Sequence, residues 1–157
     1  MKCLKFFLLA YIGPCVLFVC ACQNRNGLKR IDKGKYIVEA IFSKDSIMNG
    51  NYSYYSKEGK LLNTTMYKDG MKNGISINYF PNGLVSDSVE FKCGKEVGYW
   101  RYFDVAGKKQ YADYYYYGLQ YGPELIYESE KLHKCLVSDL NRKVIVNCFY
   151  NSLGNLD

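Results

Sequence analysis

The chain has 157 residues, room for one domain, with 21 basic residues, 15 acidic ones and a single His. Aromatic residues make up 17% of it, most of them Tyr, which excludes a disordered chain. A helical bundle would be rich in Ala, Leu, Glu and Lys, whereas Tyr, Phe, Val, Ile and Thr favour strands, so the composition points to an all-β fold.

The first element in chain order is a targeting segment. Lys2 and Lys5 form a short positive region, and Phe6 to Ala21 is an apolar run of 16 residues interrupted by Pro14. A bilayer span needs roughly 20 residues, so this run is short for a transmembrane helix. It ends in Val19-Cys20-Ala21-Cys22, which resembles the bacterial lipobox: an aliphatic residue, small ones, then a Cys whose thiol takes a diacylglycerol. Residues 1–21 are accordingly expected to be a lipoprotein signal peptide carrying a signal helix. Cys22 is the expected lipid-attachment site and membrane anchor. The bland alternative is an ordinary signal peptide or uncleaved anchor in a segment that happens to hold four cysteines. Gln23 follows Cys22 with no acidic residue close behind, and by likeness to lipoprotein sorting rules this favours the outer membrane of a bacterial cell envelope. With Lys2 and Lys5 removed, 19 basic and 15 acidic residues leave a net charge of +4, too mild for a nucleic-acid footprint.

Residues 22–35 read as a linker, and residues 36–157 as a repeat domain. Gly50, Gly74, Gly98 and Gly122 are spaced 24 apart. Gly59, Gly83 and Gly107 form a second column, continued by Lys131, and Gly70, Gly94 and Gly118 a third, continued by Arg142. Ten of the 14 glycines fall in these columns, a register that chance does not supply. Aromatic residues keep the same period at Tyr55, Tyr79, Phe103 and Tyr127, and at Tyr67, Phe91 and Tyr115, where Asp139 then breaks the column. Before residue 50 the pattern is degenerate, and Phe149 to Gly154 echoes Tyr54 to Gly59 as half of a fifth unit.

Each unit reads as two strands and two turns. Asp69-Gly70 and Asn82-Gly83 are hairpin-turn dipeptides, because φ > 0 is cheap for Gly and tolerated by Asn and Asp. Leu61 to Tyr67, Val85 to Phe91 and Tyr99 to Phe103 carry strand residues, and no window has a helical period. The first glycine column is expected to open each strand, where a bulge or a bulky neighbour needs room. Alternation places the Tyr55, Tyr79, Phe103 and Tyr127 column on one face as a ladder, read as the core or as a binding surface. The expected architecture is an elongated antiparallel meander of 24-residue β-hairpin repeats.

Gly98-Tyr99-Trp100-Arg101-Tyr102-Phe103 with Gly107-Lys108, and Asp69 to Gly74 feeding into Tyr79 to Gly83, resemble the bacterial variant of the MORN repeat. The resemblance covers about residues 40–157. Ser76 and Glu124 depart from the family pattern at the aromatic place two residues after the glycine, and Lys131, Asp139 and Arg142 depart in the fourth unit. The resemblance implies a meander of hairpins acting as a binding or scaffolding module with a protein partner. Bacterial members often carry an antitoxin-component label, YwqK type. An exported chain cannot meet a cytoplasmic toxin, so for this chain the label implies an immunity-type protein that neutralises one toxin in the envelope.

No catalytic constellation stands out. His133 is the only His, which excludes a His-based metal site, and no glycine-rich phosphate loop precedes a helix. The chain is therefore read as no enzyme, with no cofactor, metal, nucleic acid or small-molecule substrate. Cys135 and Cys148 lie symmetrically about Asn141-Arg142. A two-residue turn there makes them direct cross-strand partners, and a four-residue turn offsets them by two. A disulfide and two buried free thiols both remain open. Cys93 takes the Asp place of an Asp-Gly turn and should be exposed. Tyr111, Tyr114, Tyr115, Tyr116, Tyr117 and Tyr121 are the candidate aromatic binding patch, with a solvated edge as the alternative. Three roles follow: an envelope lipoprotein that binds a protein or glycan, an immunity-type neutraliser, and a structural spacer.

Overall fold

A computed structural model describes residues 27–139, 141 and 143–157. The signal peptide, its helix and Cys22 lie outside the described residues. Among the described residues every regular element is a strand: β1 (Gly27–Asp32), β2 (Tyr36–Phe42), β3 (Met48–Ser56), β4 (Leu61–Lys68), β5 (Met71–Tyr79), β6 (Val85–Lys92), β7 (Lys95–Phe103), β8 (Lys109–Tyr116), β9 (Leu119–Glu128), β10 (Lys131–Ser138) and β11 (Val144–Phe149). They form one 11-stranded sheet in sequential order, with each neighbouring pair antiparallel. The expected all-β antiparallel meander is therefore present.

The linker reading needs correcting. Residues 27–32, inside the segment expected to be linker, add β1 to the sheet. This strand hid because it lacks an alternating apolar pattern: Leu28 is exposed, and Lys29, Arg30 and Asp32 supply the charge that suits an edge strand. It is tied down by an Arg30–Glu39 ion pair at 2.7 Å and a Lys57–Asp32 ion pair at 2.7 Å.

Two turn types alternate along the sheet. Asp69-Gly70, Cys93-Gly94 and Tyr117-Gly118 are two-residue turns with φ > 0 at both positions, the geometry whose twist matches paired strands. Cys93 is exposed there, as expected. Gly70 N–H donates to Met48 O, Gly94 N–H to Lys72 O and Gly118 N–H to Glu96 O, so each tight turn bonds to the hairpin before it. The opposite edge has four-residue turns. Ser56, Phe80 and Asp104 donate to Lys60, Leu84 and Lys108 carbonyls, and Gly59, Gly83 and Gly107 take φ near +80°. At Lys131 the glycine column fails because Ser129-Glu130 makes a tight turn instead, with φ of 50° and 66°. Asn151 N–H bonds Asn155 O and Gly154 N–H bonds Asn151 O, which repeats the geometry of Ser56 to Lys60 where the sequence echo had placed a further turn.

The first glycine column sits inside the strands and does not open them. The pairing skips residues opposite Ile41, Met66 and Tyr114, where β3, β5 and β9 each bulge. Gly50, Gly74 and Gly122 occupy those bulges with φ of 126°, 115° and 131°. A Cβ on them would lie 3.2 Å from Ile41, 3.1 Å from Met66 and 3.0 Å from Tyr114. Gly98 has φ 70° and no atom within 4 Å of its Cβ position.

Register partners share a face, which sorts the side chains. The front face carries Trp100 and the back face Arg101. The buried Val38, Ala40, Thr65, Ser76, Val89 and Phe91 all lie on the front, and Ala112 on the back. The two aromatic columns take opposite faces: Tyr67, Phe91 and Tyr115 the front, Tyr55, Tyr79, Phe103 and Tyr127 the back. The back column is not the core, since all four of its members are only half-buried. Nor do its rings touch, because residues 24 apart sit two strands apart, about 10 Å, beyond ring contact.

Candidate functional site

The front face holds a row of register partners with one side chain per strand: Ile31, Val38, Tyr54, Asn63, Asn78, Asp87, Tyr102, Tyr111, Ile126, Lys134 and Phe149. Its middle is polar. Asn63 Nδ2 donates to Asn78 Oδ1 at 2.7 Å, and Asn78 Nδ2 donates to Asp87 Oδ1 at 2.8 Å. Trp100 Nε1 donates to the same Asp87 oxygen at 3.1 Å, and Ser86 Oγ donates to Oδ2 at 3.0 Å. Beside it, the buried hydroxyls of Thr65 and Ser76 pair at 2.7 Å, and Thr65 Oγ1 donates to Asn63 Oδ1 at 3.0 Å. A connected polar network thus crosses β4 to β7 on one face. Satisfied networks of this kind fix side-chain positions.

Aromatic rings flank the network on both sides. Tyr54 packs against Tyr36 at 4.7 Å between centroids, and Tyr52 against Tyr67 at 5.9 Å. On the other side Trp100 stacks on Tyr102 at 5.6 Å, and Tyr102 stacks on Tyr111 at 4.2 Å. Between the two aromatic groups lies a groove of about 520 Å³ lined by Tyr52, Tyr54, Asn63, Asn78, Phe91, Trp100 and their neighbours.

Carboxylates follow on the same face. Asp113 is the register partner of both Trp100 and Glu124. Burial, then the Glu124 charge opposite, holds the Asp113 carboxyl above the usual carboxylate range, against a lowering hydrogen bond from Gln120. Burial, followed by the neighbouring phenols and carboxylates, pushes the Tyr102 hydroxyl well above an ordinary phenol, so it keeps its proton at neutral pH. Tyr111 shifts the same way, from burial first and Asp113 next.

The six tyrosines expected as one patch do not make one surface. Tyr111 and Tyr115 are on the front, with Tyr115 tilted against Trp100 at 5.8 Å. Tyr114 is on the back, edge-on to Tyr99 at 5.1 Å, and Tyr116 is on the back beside Tyr117 of the turn. Tyr121 lies in the β9 bulge and is exposed. Strand alternation separates neighbours in sequence, so the front-face register partners of Tyr111 are Tyr102 and Ile126, on other strands.

Cys135 and Cys148 are direct register partners on the back face, and both thiols are free and half-buried. The connection is the longer kind, Asp139 to Lys143, yet the offset expected of it is absent. A bulge between Val137 and Ser138 absorbs the extra residue. Burial, then Cys148, raises the Cys135 thiol. His133 is exposed, with Nδ1 at 3.6 Å from Glu128. Among the described residues no group of three or more His, Cys, Asp or Glu side chains is placed to hold a metal ion. No known protein-family profile matches the chain, and no curated protein does.

Proposed function

We propose that this chain is a non-catalytic envelope lipoprotein, anchored through a lipid on Cys22, whose β-sheet is a binding module for a protein or glycan partner. The observation that carries the reading is the front face itself. A connected amide and carboxylate row, flanked by stacked aromatic rings, stands on a sheet over which no second layer packs among the described residues. Rigid aromatic surface beside fixed polar groups suits recognition. The in-register glycines and turns support a 24-residue hairpin unit and the likeness to the bacterial MORN variant. Ten strand steps of about 4.8 Å make a sheet roughly 48 Å across, a length that suits a scaffold. The lipobox-like Val19 to Cys22 supports the anchor, and Gln23 supports the outer membrane.

The anchor is tested by fatty-acid labelling of the intact chain in a bacterial host. Label lost in Cys22→Ser supports it, and label retained there removes it. The binding face is tested by capture from envelope extracts with residues 22–157 immobilised. A partner lost on Trp100→Ala and kept on Tyr127→Ala supports the front face. A partner indifferent to Trp100→Ala overturns it.

A further inference from the structure

We infer that the front face is a subsite array for a neutral, linear β-1,4-linked glycan lying across the strands, an inference that rests on the binding role proposed above for that same face. The row Tyr54, Asn63, Asn78, Asp87 and Tyr102 presents one side chain per strand, at right angles to the strand direction. Strands are about 4.8 Å apart, close to the advance of one pyranose ring in an extended β-1,4-linked chain. A glycan laid along the five strands of the row therefore meets about one side chain per sugar.

The chemistry along the row matches both surfaces of such a sugar. A pyranose has flat C–H faces and an equatorial hydroxyl rim. Tyr54 on one side of the groove and Trp100 on the other bring aromatic surface to it for the C–H faces. Between them Asn78 commits one Nδ2 proton to Asp87 and has a second for a sugar hydroxyl, while Asn63 holds the Asn78 amide in place. The one carboxylate of the row, Asp87, is already engaged by Asn78, Trp100 and Ser86, and the one charged residue lining the groove, Lys72, holds its amine over the Phe91 ring at 4.5 Å. That lining selects an uncharged ligand over a basic or an acidic one. The site is also fixed before binding: Asp87 holds both Asn78 and the Trp100 indole, so little side-chain freedom is lost when a ligand arrives.

Trp100 is the only Trp in the chain, so its emission reports on this site alone. Residues 22–157 are titrated with chitohexaose and cellohexaose, and with the matching disaccharides. The expected result is a saturable change in Trp100 emission, with at least one hexasaccharide binding about tenfold tighter than its disaccharide. Asn78→Ala or Tyr54→Ala should weaken binding about tenfold, while the back-face variant Tyr127→Ala leaves it unchanged. Melting curves of each variant separate lost binding from lost fold. The proposal is overturned if neither hexasaccharide gives a saturable change at millimolar concentration, or if Tyr127→Ala weakens binding as much as Tyr54→Ala. A protein partner lost on Trp100→Ala, with no hexasaccharide bound, would remove the glycan and keep the binding face. Loss of both would remove both.

Discussion

Asn63 donates to Asn78 at 2.7 Å across the β4–β5 pair, and Asn78 passes the chain of hydrogen bonds to Asp87 at 2.8 Å. Two amides and a carboxylate therefore sit in the middle of a sheet face whose flanks are aromatic. A sheet needs no polar ladder to cohere. Backbone pairing and the buried Val38, Ala40, Val89 and Phe91 already do that on this face.

The Thr65–Ser76 hydroxyl pair is the most enclosed part of this network, with each residue buried. Thr65→Val keeps the shape and leaves the Ser76 hydroxyl without that partner. The expected loss is about 1–3 kcal/mol, read as a lower urea midpoint at unchanged slope. Adding Ser76→Ala should restore much of it, because both polar groups are then gone. Equal, additive losses from the two single variants would show that the pair is not coupled.

The glycine bulges give a graded test. Gly74→Ala places a Cβ 3.1 Å from Met66 at φ 115°, so strain and overlap both apply. Gly98→Ala meets no atom within 4 Å and adds only the cost of φ 70°. Both should destabilise, Gly98→Ala by about 1–2 kcal/mol and Gly74→Ala by more. Thermal melts of the two variants side by side decide it. A Gly98 variant as damaged as the Gly74 one would mean that backbone strain alone sets the cost.

Most of the fold was legible because its signals are local. Asp69-Gly70 specifies a tight turn whatever lies around it, and Leu61 to Tyr67 reads as a strand from its own residues. Ser129-Glu130 was not legible, since neither residue favours the φ > 0 that the turn imposes on it. The site was harder still. Its row interleaves Tyr54, Asn78 and Tyr102 with Asn63, Asp87 and Tyr111, and each set is spaced 24 apart. The columns change residue type at every step, so a search for constant residues passes over them. Constant positions such as Gly50 and Gly74 answer to backbone geometry, and the changing ones beside them are free to make a surface. A run such as Tyr114 to Tyr117 looks like a patch in sequence, but it is divided between two faces by alternation.

Cys135 and Cys148 face each other directly, which is the register that permits a cross-strand bond. A chain exported to an oxidising compartment should close it, through exchange with a small disulfide such as oxidised glutathione. Alkylation without reductant should then label Cys93 alone in protein purified from the envelope. Closing a loop of this length is worth about 3 kcal/mol, so reductant should lower the melting temperature. In reduced protein, Cys93 should react first at neutral pH, because it is exposed while burial keeps the Cys135 thiol protonated. Labelling of all three thiols in the unreduced protein would rule the bond out.

Asp113 faces Glu124 across the β8–β9 pair, and no cation pairs with either among the described ion pairs. Its folded-state pKa is raised above the unfolded value of 3.8, first by burial and then by Glu124. The folded protein therefore binds this proton more readily than the unfolded chain does. The sign follows: the ionised pair weakens the fold at neutral pH, and that penalty fades as pH falls through the raised pKa toward 3.8. Asp113→Asn should accordingly stabilise the protein at pH near 7, by about 0.2–1 kcal/mol as for a like-charge cross-strand pair. The gain should vanish in acid, where wild type is protonated at this site. Urea midpoints of both proteins across that range test it. A gain that is constant with pH would assign the effect to amide hydrogen bonding, and a loss at neutral pH would show that the Asp113 carboxylate is itself a wanted acceptor.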